Sequence, residues 1–96
     1  MLFLGFVYRR YVMDKIKVLV ADDHPAFREG LCRFLTEEQD MEVVAQSENG
    51  EQTVKLAGEL QPDVAIIEVA MPKISGIEAA RQIKSFSPKT TILMVS

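Results

Sequence analysis

The sequence predicts an α/β domain built on a doubly wound parallel sheet with helices on both faces. Three observations carry that expectation. Short aliphatic runs alternate with stretches of helical period in the order βαβαβαβ. Each helical stretch is long enough to return the chain over a sheet, which implies right-handed crossovers between parallel strands. Polar residues gather where the runs end, the edge at which such sheets bind their ligands.

Ile16 to Ala21 is a β-branched and aliphatic run ending in Asp22-Asp23, as expected for a strand buried on both faces. Pro25 suits a first helical turn, and Phe27, Leu31, Phe34 and Leu35 then recur at the spacing of one apolar helix face, predicting a helix over about 26–38. Glu42 to Ser47 supplies a second strand through Val43, Val44 and Ala45. Asn49-Gly50 punctuates, and a helix over 50–60 carries Val54, Leu56, Ala57 and Leu60 before stopping near Gln61-Pro62. Val64 to Val69 is the most hydrophobic strand. Met71-Pro72 to Gly76 reads as a loop, Ile77, Ala80 and Ile83 stripe a third helix over 76–86, and Thr90 to Val95 is a fourth strand.

The 96 residues, 48% hydrophobic and 26% charged, suit one small core and exclude a multidomain chain. The sequence divides into an extension over 1–12 and a domain over 13–96. In MLFLGFVYRRYV the charges of Arg9 and Arg10 follow the apolar stretch, the reverse of a secretory signal, and the stretch is far shorter than the roughly 20 residues that span a bilayer. Met13 then opens MDKIKVLVADD like an ordinary start, so 1–12 reads as an extension without its own fold. An arm packed on the domain and a membrane-surface anchor are the other readings. All fourteen acidic groups lie beyond residue 12, which argues against a nucleic-acid surface. The single cysteine, Cys32, sits among helix residues, where a buried reduced thiol and a cytoplasmic location are expected.

Asp22-Asp23, Glu68 and Ser96 all fall at the carboxyl ends of strands. Glu68 is the informative one, because a carboxylate between Ile67 and Val69 must reach water, a cation or a donor to avoid an uncompensated burial cost. Three converging carboxylates repel one another, and a hard divalent cation that keeps several waters relieves the conflict, so Mg²⁺ is the expected cofactor. His24, beside Pro25, is expected to fix the loop rather than to ligate metal, and nothing supports zinc.

Taken together, VLVADDHPAFREGL, NGEQTVKLAGELQPDVAIIEVAMPKISGIEAARQIK and TTILMVS resemble the receiver domain of two-component response regulators, most closely those joined to LuxR/NarL-type DNA-binding domains. The resemblance covers about residues 15–96. It implies a flavodoxin-like (CheY-like) sheet, here in order 2-1-3-4 and lacking the family's last α-β-α segment with its Lys, a truncation expected to impair phosphoryl acceptance along with the residue at position 68. It also implies Mg²⁺-dependent acceptance of a phosphoryl group from a sensor histidine kinase. Asp23 matches the direct metal ligand, Asp22 its water-mediated partner, and Ala70 the residue that offers a backbone carbonyl. Ser96 matches the switch hydroxyl. Glu68 occupies the phosphoacceptor position, where the family has Asp, and its extra methylene shifts the carboxylate by about 1.5 Å, enough to impair in-line attack. A glutamate there also imitates, crudely, the charge of the phosphorylated state.

DNA would be reached only through an output domain absent from this chain, no membrane partner is expected, and a homodimer is left open. The serious rival is a phosphorylation-independent pseudo-receiver acting as a dimerisation or interaction module. A nicotinamide-binding Rossmann domain would need a glycine-rich turn where Asp22-Asp23-His24-Pro25 stands. A metal-dependent phosphohydrolase would need a base and a basic clamp near the carboxylates, and the sequence offers neither. The chain is therefore not expected to be an enzyme.

Overall fold

The computed structural model describes residues 15–96; the extension expected over 1–12 lies outside them. The described chain runs β1 (Ile16–Ala21), α1 (Pro25–Thr36), β2 (Met41–Ser47), α2 (Gly50–Leu60), β3 (Val64–Glu68), α3 (Gly76–Phe86) and β4 (Thr91–Val95). The strands form one parallel sheet in the order β2-β1-β3-β4, as the family resemblance implied.

Alternation along the two central strands sorts the core into two layers, because successive side chains of a strand point to opposite faces. Leu19, Ala21, Ala65 and Ile67 face α2 and α3, where they meet Ala57 and Ile83. Val18, Val20 and Ile66 face α1 and meet Cys32 and Leu35. Leu19, Ile67 and Ile83 are fully buried, each contributing about 1.5–3 kcal/mol relative to exposure. Burial also pushes the Cys32 thiol up, despite the charge of nearby Arg28, which leaves it an inert core residue as its helical setting indicated.

Two helices leave part of the apolar face read in the sequence exposed. In α1 the sheet takes Cys32 and Leu35 with half-buried Arg28 and Leu31, leaving Phe27 50% and Phe34 63% exposed. The apolar stripe is wider than the one strip of sheet available to it. In α3 the buried row is Gly76, Ala79 and Ile83, while Ile77 is 63% exposed. Ala80 and Ile83 pack on the core as their stripe predicted, and only Ile77, in the first turn, stays outside it. Leu60, at the last turn of α2, is likewise exposed.

Helix α1 also ends at Thr36, two residues before the end expected near 38. Thr36 Oγ1 donates back to the Cys32 carbonyl, and Glu38 N–H closes onto Leu35 in a tighter turn. Asn49 and Ser75 cap α2 and α3 by accepting from Gln52 N–H and Glu78 N–H.

The two capped helices reach the carboxyl edge of the sheet through glycine. A Cβ on Gly76 would collide with the carbonyl oxygen of Glu68, and one on Gly50 with the carbonyl oxygen of Ile74. Gly30, on the exposed side of α1, has nothing near it. Gly76→Ala is therefore expected to cost about 2–3 kcal/mol by overpacking, whereas Gly30→Ala should stabilise by about 0.5–1 kcal/mol. Urea denaturation of the two variants checks both signs.

Candidate functional site

The carboxyl ends of β1 and β3 deliver the acidic residues to one place. Ala21 pairs with Ile67, so the next residue on each strand, Asp22 and Glu68, come out side by side. Asp22 is 2% exposed and is fixed from several directions. Its N–H donates to the Ser47 carbonyl at 3.0 Å, tying it to the end of β2. Its carbonyl accepts from Arg28 Nη1 at 2.6 Å, and Arg28 Nε donates to Gln46 Oε1 at 3.2 Å. Its carboxylate oxygen Oδ1 accepts the His24 N–H at 2.8 Å and lies 2.9 Å from His24 Nδ1.

Ser47 is itself held by Thr53 of α2, the two buried hydroxyls lying 2.6 Å apart. The acidic loop is thus anchored through β2 to the first turn of α2. On the other side, Gly76 N–H donates to the Val69 carbonyl at 2.7 Å and Val69 N–H to Val95 at 2.9 Å, which fixes the backbone just beyond Glu68.

Donor atoms of Asp22, His24 and Glu68 all lie within 4.8 Å of one another. Asp23 stands beside this group: its Oδ1 is 3.2 Å from His24 Nδ1, is buried, and accepts no hydrogen bond. Clustered carboxylate oxygens, with one more next to the group that is out of water and without a donor, make a donor set that a hard divalent cation completes. The residues present therefore fit Mg²⁺.

The remaining positions singled out in the sequence lie along the same edge. Ala70 is exposed in the loop after β3, two residues past Glu68. Ser96 is exposed at the end of β4, one step beyond Val95, the partner of Glu68. His24 fixes the loop, as expected, but its ring also enters the acidic cluster, which the sequence reading did not foresee. The available signal was its place between an acidic pair and a helix-initiating proline. Arg28, one turn into α1 and bonded to the Asp22 carbonyl, was also missed.

The electrostatics follow from this geometry. Burial pushes the Asp22 carboxyl up, but the hydrogen bonds from His24 N–H and ring, together with that to Glu68 and the His24 charge, outweigh it and hold it below its ordinary value of 3.8. The hydrogen bond to Asp22 and the charges of Asp23, Asp22 and Glu68 raise His24 above its ordinary value of 6.5, against a smaller opposing desolvation.

Residues 18–96 match the response regulator receiver domain family. The chain belongs to that family. It is 41% identical over 83 residues to the transcriptional regulatory protein DegU of Brevibacillus brevis, covering 86% of this chain and 35% of that protein. It is 43% identical over 81 residues to the response regulator GacA of Pseudomonas aeruginosa, covering 84% and 38%. Among solved structures, the signal receiver domain of the NarL response regulator from Mycobacterium tuberculosis superimposes with a TM-score of 0.81 at 34% identity, over 84% of this chain and 65% of that one. The chain thus spans little more than a third of the length of the curated relatives it matches. Receiver domains of this kind are signalling modules, and the response regulators that carry them pair with histidine kinases.

The His24–Asp22 pair sets a pH dependence for the cation-free receiver. A raised histidine contributes stability fully below 6.5 and loses it as pH rises through the folded value; a lowered carboxyl contributes above 3.8 and loses it as pH falls through its own folded value. The stability difference between wild type and His24→Ala should therefore be largest at weakly acidic pH and shrink on either side. Chemical denaturation in chelator across that range checks it, with the ring resonances of the chain's single histidine reporting the upper limb.

Proposed function

We propose that residues 13–96 act as a receiver whose acidic site holds Mg²⁺ but whose phosphoryl chemistry is impaired by Glu68. The observation that carries this reading is the convergence of buried Asp22 and half-buried Glu68, with His24, at the carboxyl ends of β1 and β3, next to the unpartnered Oδ1 of Asp23. By the family pattern, Asp23 is the direct ligand, Asp22 acts through water, Glu68 adds a carboxylate and Ala70 a backbone carbonyl. When bound, Mg²⁺ supplies the positive charge that lets an anionic phosphoryl group approach a carboxylate.

Glu68 stands where the attacking carboxylate belongs. Its backbone is fixed by the seating of Gly76, so the additional methylene cannot be absorbed by moving the strand. The carboxylate is carried about 1.5 Å past the attacking position, and attack in line with the leaving group is lost. Ser96 is the hydroxyl that would follow a phosphoryl group on activation. The partner of a regulator that carries this receiver is a sensor histidine kinase, the receiver itself works in the cytoplasm, and DNA is reached only through that regulator's output domain. Among the described residues no helix is long and apolar enough to cross a membrane.

Two measurements test the reading. Titration calorimetry should show weak Mg²⁺ binding to the wild-type chain, lost in Asp23→Asn. Incubation with a small-molecule phosphodonor and Mg²⁺ should leave the wild-type intact mass unchanged, while Glu68→Asp gains one phosphoryl group. Uptake by the wild type would remove the claim of impairment. Failure of Glu68→Asp to gain the group would favour the phosphorylation-independent interaction module, and a homodimer with it.

A further inference from the structure

We propose that β4 is a self-recognition edge: two copies of the chain pair their β4 strands antiparallel about a two-fold axis that passes beside Leu93, joining their two four-stranded sheets into one. This goes beyond the function proposed above and stands whether or not Glu68 impairs phosphoryl transfer.

The sheet has two outer strands, and they are built differently. β2 carries Glu42 within the strand and shifts register against β1 between Val18 and Leu19, the charge and the irregularity by which an edge is kept from pairing. β4 has neither. Its residues Thr91-Ile92-Leu93-Met94-Val95 hold no charge, proline or glycine, and they run in unbroken register along β3 from Val64 to Glu68. Leu93 stands beside Ile66, yet Leu93 is 54% exposed and Ile66 only 9%, so the cover that α1 gives this face stops at β3. Met94, on the opposite face, is also exposed.

The backbone fixes how this edge can be met. Thr91 N–H donates to the Asp63 carbonyl, and the Val95 carbonyl accepts from Val69 N–H. Thr91, Leu93 and Val95 therefore turn their peptide groups toward β3, and the intervening Ile92 and Met94 turn theirs outward. An antiparallel copy centred on Leu93 sets Ile92 against Met94 of the second copy on both sides of the axis, so that every outward N–H meets an outward carbonyl. Leu93 then faces its own counterpart as the closer, non-hydrogen-bonded pair, with Cβ atoms about 5 Å apart. Thr91 lies beside Val95 on the α1 side, and Ile92 beside Met94 on the other.

Charge selects a second copy and this orientation. At the start of β4 stand Lys89, beside Asp63, and Lys84, whose Nζ donates to the Thr90 carbonyl. At its end lie Glu68, the partner of Val95, and buried Asp22. Antiparallel pairing brings the basic end of each copy to the acidic end of the other, whereas parallel pairing would bring like ends together. An edge with an uncharged middle and oppositely charged ends is its own complement, as a two-fold interface requires.

The full chain is followed by sedimentation equilibrium over a concentration series, as wild type, Leu93→Lys and Phe34→Lys, the last removing an apolar side chain of similar exposure away from β4. Wild type is expected to pass from monomer to dimer. Leu93→Lys, which sets like charges opposite each other on the axis, should weaken the dimer at least about tenfold, while Phe34→Lys stays within about twofold. The amides of Ile92 and Met94 should exchange more slowly in the dimer than on dilution. In a Cys32→Ser chain, Leu93→Cys should form a disulfide-linked dimer under mild oxidation and Ile77→Cys should not, a gain of signal that does not depend on how the lysine variants fold. A monomer at every concentration, equal weakening by both lysine variants, or cross-linking as ready through Ile77→Cys would overturn the proposal. So would slow exchange of Ile92 and Met94 in a monomer, which would assign the edge to residues 1–12 of the same chain.

Discussion

A carboxylate withdrawn from water at the end of a central strand sets the terms for everything around it. Asp22 is buried between neighbouring strand ends, where an uncompensated charge would cost several kcal/mol. The loop after β1 meets that demand locally by turning back so that His24 gives both its N–H and its ring to the same oxygen. That turn places His24 at the N-cap of α1 and Pro25 at its first position, so compensation of the charge and initiation of the helix are one structural event. Arg28, one turn later, then reaches the Asp22 carbonyl and completes the enclosure.

The opposite wall is built by close backbone approach. Gly50 and Gly76 let two helix starts come within contact of the β3–α3 loop and of β3 itself, where any side chain would collide. Buried hydroxyl pairs hold the same helices at other points. Ser47 with Thr53 locks the top of β2 to α2. Ser87 with Thr90, which also donates to the Pro62 carbonyl, locks the entry to β4 at the far edge. The acidic residues thus sit on a frame held by polar contacts as much as by hydrophobic burial.

That division explains what could be read from the sequence. The strands were legible because a run such as Val64-Ala65-Ile66-Ile67 has no other stable place than a covered sheet, and the carboxylates were legible because they interrupt or end such runs. The helix faces were less so. Phe27 and Phe34 share a helical stripe with Leu31, but only the side bearing Cys32 and Leu35 finds sheet beneath it. Ile77 stays exposed in the first turn of α3, where Gly76, seated on the Glu68 carbonyl, makes the contact with the sheet. Thr53, Ser87 and Thr90 are fully buried although composition marks them as surface residues; each is satisfied by a partner distant from any hydrophobic pattern. His24 escaped for a similar reason, since its role depends on a fold-back that spacing alone does not reveal.

The seating of Gly76 on the Glu68 carbonyl has a mechanical meaning. With no side chain to act as a cushion, the first turn of α3 and the backbone that carries the acidic side chain are in hard contact, and Gly76 N–H is bonded to the next carbonyl along. The place of the first turn of α3 is therefore set by the backbone of β3 and leaves no room for any side chain larger than hydrogen between them.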